Sequence, residues 1–174
     1  TQYDFDNAFV QSVLPKPVYM EHPEGYPGPV GTCLKLLKSL YGLKAAPKLW
    51  SELLRSFLIT IGFIACVADQ CIMLHSKFVM WLVTFSDDVI ISTKNEAGRK
   101  EVVNAISKRF KIKILGVLSK YVGIEVKYGK NGTISISQDS YIRTILARFN
   151  MSDCKSVSTP AAPGSQLLVA PTHN

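Results

Sequence analysis

The sequence predicts an α+β fold, an antiparallel sheet with helices packed on one face, and three observations predict it. Hairpin signals recur: β-type apolar runs flank Ser86-Asp87-Asp88, and a second pair flanks Lys130-Asn131-Gly132, where Asn-Gly is the strongest short turn signal. Helical stretches are interspersed with these hairpins, and each shows apolar residues on one side only. The chain has 174 residues, 47% hydrophobic and 19% charged, enough for one domain with a real core. That composition excludes disorder over most of the length.

The elements follow in order. Residues 3–9 have strand character, residues 18–20 add a short extended segment, and residues 23–31 are rich in Pro and Gly. The clearest helix spans residues 47–61. Leu49, Trp50, Leu53, Leu54, Phe57, Leu58 and Ile61 recur at helical spacing, Pro47 suits the first turn and Gly62 stops it. A second helix runs from Asn95, an N-cap residue type, to Phe110, with Val102, Val103, Ile106 and Phe110 on its apolar side. Residues 121–128 and 133–137 form the second hairpin. A last helix over residues 141–149 is expected to turn Ile142, Ile145, Leu146 and Phe149 inward. From Lys155 onward Ser, Thr, Ala and Pro dominate, so residues 1–154 read as the folded body and 155–174 as a flexible tail.

A net charge of +7 and a pI near 9.3 are compatible with a polyanionic partner, nucleic acid or an anionic membrane surface. A membrane span is excluded, because the apolar runs at residues 79–85 and 89–91 are short and separated by acidic residues. Nothing at the N-terminus has the form of a secretory signal, and without one the two glycosylation sequons carry no weight. The four cysteines include no CxxC pair and the three histidines are scattered, which argues against a zinc site or disulfide framework and for reduced, intracellular thiols. An opening without Met, in mid-strand, suggests a piece of something larger.

Asp87-Asp88 carries the chemistry. Adjacent carboxylates between apolar strands raise each other's pKa unless a cation or solvent relieves them. One reading is a solvated turn, since Asp is a turn former. The other is a site for Mg²⁺, a hard cation that takes carboxylate oxygens and keeps positions for water and phosphate. Asp4 offers a third carboxylate at another strand end. If that strand lies beside the hairpin, Asp4, Asp87 and Asp88 converge, and two divalent ions about 3.5–4 Å apart would serve a phosphoryl transfer.

At this point the residues resemble a known family. Gln2-Tyr3-Asp4-Phe5-Asp6-Asn7-Ala8-Phe9 is similar to the first catalytic motif of Ty1/copia-type reverse transcriptases. Val18-Tyr19-Met20-Glu21 with Pro23, Gly25 and Tyr26 follows its next segment. The run from Ser39 through Leu40-Tyr41-Gly42-Leu43-Lys44-Ala45-Ala46-Pro47-Lys48-Leu49-Trp50 is nearly diagnostic, and Phe85-Ser86-Asp87-Asp88 sits where the family has Tyr-Val-Asp-Asp. Leu115-Gly116, Val122-Gly123-Ile124-Glu125-Val126, Ser137-Gln138, Tyr141-Ile142, Asp153-Cys154-Lys155 and Ser158-Thr159-Pro160 complete the series in order.

The resemblance implies a polymerase palm and an RNA-directed DNA polymerase that adds deoxynucleotides to a primer 3′-hydroxyl. Asp4, Asp87 and Asp88 would be both catalytic residues and metal ligands, for two Mg²⁺ ions with Mn²⁺ as a substitute. Phe5, Phe9, Tyr41 and Gly42 would bind nucleotide, Phe9 as the ring that crowds a ribose 2′-hydroxyl. Taken alone, Phe9 is equally a core residue and Gly42 an ordinary turn residue. Lys35, Lys38, Lys44 and Lys48 either face phosphates or form a solvated face. The implied partners are an RNA or DNA template with its primer, deoxynucleoside triphosphates, and the fingers and RNase H regions of a parent polyprotein. The implied location is cytoplasmic, within a virus-like particle, and not secreted.

The pattern also has departures. Ser86 replaces a small apolar residue, Phe85 replaces Tyr, Asp6 stands where Lys is usual, Ala45 replaces Gln, and Ile114 and Val117 replace Asp and Glu. The match begins at the first catalytic motif, so a partial domain lacking fingers is expected. Its carboxylates would be nearly inert alone, because phosphoryl transfer depends on positioning and charge stabilisation. A decayed nucleic-acid-binding palm and a functionless transposon remnant are the alternatives.

Overall fold

A computed structural model describes residues 1–161 and 164. Its elements in chain order are β1 (Gln2–Phe5), a short 3₁₀ turn (Phe9–Gln11), β2 (Val13–Met20), β3 (Leu34–Lys38) and α1 (Ala46–Thr60). Then come β4 (Phe63–Ala65), β5 (Ile72–His75), β6 (Met80–Phe85), β7 (Asp88–Thr93) and α2 (Glu96–Arg109). The chain continues through β8 (Ile112–Gly116), β9 (Lys120–Tyr121), β10 (Ile124–Tyr128), β11 (Ile134–Ser137) and α3 (Asp139–Arg148).

Six strands form the main sheet in the order β4-β5-β6-β7-β1-β8, every neighbouring pair antiparallel. Side chains alternate between its faces. Phe63, Met73, Leu82, Val89, Ile91, Tyr3 and Phe5 fall on one face and join Trp50, Leu54 and Leu58 of α1 and Val102 and Ile106 of α2 in a single buried cluster. The predicted α+β arrangement thus holds for this sheet and these two helices. Its second face is mixed, apolar along β4–β6 (Ile64, Leu74, Trp81) and polar or charged where Gln2, Asp4, Asp88 and Lys113 meet, and that polar end carries the site.

Both helices form where the sequence places them. In α1 the buried Trp50, Leu54 and Leu58 lie four residues apart, one above another on the sheet-facing side. Gly62 ends it with φ +98°, a backbone region that L-residues with a Cβ resist. Asn95 caps α2, its Oδ1 accepting the Gly98 N–H at 2.8 Å. Gly98 itself is dictated by close packing, since a Cβ there would lie 2.8 Å from the Phe78 ring.

His75 fastens the end of α1 to the β5–β6 hairpin. Its Nε2 donates to the Ile61 carbonyl at 2.9 Å, while Nδ1 accepts the Lys77 and Phe78 N–H groups at 3.1 and 3.2 Å. A carbonyl only accepts and an amide N–H only donates, so the ring is the neutral Nε2–H tautomer. His75→Phe keeps the ring but strands these backbone groups, and we expect it to cost about 2–4 kcal/mol. Urea titration monitored by circular dichroism measures this, and a loss under about 0.5 kcal/mol would show the fastening unimportant.

Four expectations are corrected. The first strand stops at Phe5 rather than residue 9, because Asn7 takes a left-handed φ of 52° and turns the chain into the 3₁₀ segment. Residues 121–128 are two strands, separated by a turn at Val122 (φ 49°) and Gly123 (φ 78°). Helix α3 starts at Asp139 and buries no residue, leaving Ile142 and Phe149 52% and 66% exposed instead of inward. It follows a separate three-stranded sheet, β11-β10-β9, that forms no ladder with the main sheet. The ladder of β2 with β3 was also not anticipated, because Pro15 and Pro17 lack N–H donors and the register shifts between Val13 and Val18.

Residues 155–161 carry no helix or strand; residues 162–163 and 165–174 of the expected tail lie outside the described residues. Among the described residues no helix is long and apolar enough to cross a membrane.

Candidate active site

Strand β1 is an interior strand, held between β7 and β8. Tyr3 and Phe5 turn into the core, so the period of two sends Gln2 and Asp4 to the second face, where Gln2 is buried and Asp4 partly exposed. Across the ladders Asp4 is the Cα partner of Asp88 on one side and of Lys113 on the other. Directly paired residues share a face. Asp88, Asp4 and Lys113 therefore form one row across three strands.

Asp87 reaches this row from the β6–β7 hairpin. Phe85 pairs with Asp88, leaving Ser86 and Asp87 as a two-residue loop. Ser86 has φ 54° and Asp87 does not share the positive sign, the φ pattern of a type II′ hairpin. Two bonds fix the loop. The Trp50 indole N–H donates to the Ser86 carbonyl at 2.9 Å, and the Phe5 N–H donates to the Asp87 carbonyl at 2.9 Å. The three predicted carboxylates thus stand on neighbouring residues at one end of the sheet, positioned by α1 and β1.

Their side chains have distinct partners. Tyr41 Oη donates to Asp87 Oδ2 at 2.8 Å, and Ser86 Oγ donates to Asp87 Oδ1 at 3.1 Å. Gln2 Nε2 donates to Asp88 Oδ1 at 3.3 Å. Asp4 makes no side-chain hydrogen bond or ion pair among the described residues. Burial pushes its carboxyl pKa up, and the charges of Asp88, Asp87 and Asp6 push further against the opposing pull of Lys113. The Tyr41 hydroxyl is pushed up to about 12, first by burial and then by its bond to Asp87. Among the described residues no three His, Cys, Asp or Glu side chains are gathered tightly enough to cage a metal ion as they stand.

The other predicted residues divide. Phe9 and Tyr41 come together, ring centroids 4.5 Å apart at 50°, so Phe9 adjoins the acidic end through Tyr41. Gly42 follows with φ +94° and no protein atom within 4 Å of where a Cβ would sit, which leaves the backbone there open to a ligand. Phe5, also in the expected nucleotide-binding set, keeps its side chain away from this end. Its ring is 2% exposed and packs edge-on against Trp50 and Phe110, because its place in the strand alternation is opposite to Asp4. It serves the site through its backbone N–H. Lys35 and Lys38 lie on β3, and Lys48 pairs with Glu52 at 3.9 Å on the exposed side of α1.

Sequence reasoning overlooked four residues. Gln2 was legible in principle, being two before Asp4 and hence on the same face. Trp50 reads from the sequence as a core residue and as the end of the family-like run, with nothing to mark it as a donor to the hairpin. Lys113 and Tyr121 have no local signal; the Tyr121 hydroxyl is buried without a partner among the described residues, and burial followed by the Asp88 charge pushes it up to about 12.

The family described as reverse transcriptase (RNA-dependent DNA polymerase) matches residues 1–163. The chain is 37% identical over 171 residues to the retrovirus-related Pol polyprotein from transposon RE1 of Arabidopsis thaliana, covering 95% of this chain and 12% of that polyprotein. It is 34% identical over 168 residues to the corresponding polyprotein from transposon TNT 1-94 of Nicotiana tabacum, covering 92% of this chain and 13% of that one. A putative transposon Ty5-1 protein of Saccharomyces cerevisiae is 26% identical over 169 residues, covering 95% of this chain and 55% of that protein. No solved structure matches. With the acidic row on the second face and these matches along nearly its whole length, the chain belongs to the reverse transcriptase family and is homologous to the Pol polyproteins of Ty1/copia-type retrotransposons.

Proposed function

We propose that this chain is the palm of an RNA-directed DNA polymerase and that Asp4, Asp87 and Asp88 are its catalytic carboxylates. The observation that carries the reading is the ladder register, which pairs Asp4 with Asp88 and bonds Phe5 N–H to the carbonyl of Asp87. The donor set suits Mg²⁺, with Mn²⁺ as a substitute: oxygen only, acidic, and destabilised by its own repulsion at Asp4. When bound, two such ions supply charge neutralisation at an attacking 3′-oxygen and a leaving pyrophosphate.

The protein's own part is placement. Asp4 and Asp88 project from paired strands whose backbones fix their spacing. Tyr41 and Ser86 hold the Asp87 carboxylate by both oxygens. The Phe9–Tyr41 ring pair forms an apolar wall beside the acidic row, where a flat ring leaves no space for a 2′-hydroxyl, and Gly42 admits the incoming deoxynucleoside triphosphate closely. The primer and its RNA or DNA template would lie along the second face, with the +7 net charge favouring their phosphates. The chain spans 12% of the length of RE1, so the activity and partners of the whole polyprotein are part of this proposal.

Primer extension with Mg²⁺ or Mn²⁺ tests it. Asp87→Asn should abolish whatever extension the wild-type chain supports, and extension surviving that substitution removes Asp87 from the reaction. One observation favours a second reading, a nucleic-acid-binding palm without chemistry: the Asp87 carboxylate is already satisfied by two hydroxyls. That reading predicts primer–template binding that weakens steeply with salt and is indifferent to EDTA.

A further inference from the structure

Asp6 stands where the resembled motif carries Lys, and the structure shows what it does instead. Its side chain is 11% exposed and gathers two ammonium groups, Lys111 Nζ 2.9 Å from Oδ2 and Lys113 Nζ against Oδ1. The Asp6 N–H also donates to the Lys111 carbonyl at 2.9 Å, which anchors the carboxylate beside β8. The two ion pairs hold its pKa below the ordinary carboxylate value.

Lys113 has a second acid within reach. It is the Cα partner of Asp4 on the same face, about 4.8 Å away as neighbouring strands are. Yet its ammonium is turned to Asp6, and Asp4 has no ion pair among the described residues. An ammonium resting on Asp4 would compete for the oxygens a divalent cation needs and oppose its charge at close range.

We infer that Asp6 is a positioning residue for the divalent-ion site, drawing Lys113 aside so that the Asp4 carboxylate stays open to a hard cation. The inference rests on the proposed function, which puts that cation at Asp4, Asp87 and Asp88. It gives the charge reversal at position 6 a purpose: Asp6 reaches the site through Lys113 and adds no fourth ligand.

Binding of Mn²⁺ to the full chain at low salt, followed by the loss of the free-ion electron paramagnetic resonance signal, separates the two claims. Wild-type binding that Asp87→Asn abolishes supports the site. An absence of wild-type binding, or binding indifferent to Asp87→Asn, sinks the site and the inference together. For the inference itself, Asp6→Asn should weaken Mn²⁺ binding roughly tenfold, and the loss should shrink to under about threefold when Lys113 is already methionine. Asp6→Glu, which can still hold the lysine, should retain wild-type affinity within about threefold. An equal Asp6→Asn loss in both backgrounds, or no loss in either, overturns the inference while leaving the site intact. Should Asp6→Asn fail to fold by circular dichroism, Asp6→Ser takes its place in the same two backgrounds: an equal loss in both, no loss in either, or a loss with Asp6→Glu overturns the inference.

Discussion

An Asp4→Asn chain should be more stable than the wild type and should extend primers at least about 10³-fold more slowly under the proposed mechanism. The two effects have one origin. Asp4 is partly buried in a row of carboxylates, and both burial and neighbouring charge favour its protonated form. Its native pKa lies above the ordinary 3.8, so the native state holds the proton more tightly than the unfolded chain does. Its contribution to stability is therefore fully present below about pH 3.8 and is lost as the pH rises through the native value. At neutral pH the ionised group opposes folding unless a cation answers it. Asparagine removes that charge, and we expect a gain of up to about 1 kcal/mol in metal-free buffer, because the site is open to solvent. Thermal melts of both chains from acid to neutral pH, with EDTA present, provide the check. Curves whose separation does not widen with rising pH would show that Asp4 ionises without penalty.

The second large effect is expected at Trp50, which lies on α1 and not in the acidic row. The side chain is 1% exposed, touches Phe5 and Phe110 edge-on, and sends its N–H to the Ser86 carbonyl at the hairpin tip. Trp50→Ala removes a large core side chain and should cost about 3–5 kcal/mol, enough to unfold a marginal domain. Trp50→Phe separates the two roles. It keeps most of the packing but leaves the Ser86 carbonyl without its donor, at about 1–3 kcal/mol. It also frees a loop whose Ser86 holds φ 54° with a Cβ present, so the tip is expected to relax and displace Asp87. Denaturant midpoints give the stability change, and divalent-ion affinity gives the displacement. Wild-type affinity in a folded Trp50→Phe chain would show that the indole bond does not position the carboxylate.

Position 50 also shows how much was legible in the sequence. The helical recurrence of Trp50, Leu54 and Leu58 marked a buried face, and Pro47 and Gly62 marked the ends of α1 to within a residue or two. Asn95 and the stretch to Phe110 did the same for α2, and Ser86-Asp87-Asp88 marked a hairpin that β6 and β7 form. Each is a local pattern: cap chemistry, a period of 3.6, a period of 2, a turn. The same local reading turned the apolar residues of α3 inward, where among the described residues none of them is buried. Periodicity reports which side of a helix is apolar; whether anything packs there is a tertiary matter.

For the site, the sequence by itself determined which side chains carry charge, that Asp87 and Asp88 belong to one hairpin, and, through motif order, the family. Only the tertiary structure decided that Asp4 stands opposite Asp88, that Phe5 faces the core while Tyr41 reaches Asp87, and that Asp6 takes Lys113 from its neighbour. Those pairings join residues far apart along the chain, and a shift of one residue in register would send Asp4 to the other face. Register is set by burying the whole apolar face of the sheet against α1 and α2 at once. No short stretch of sequence contains that sum.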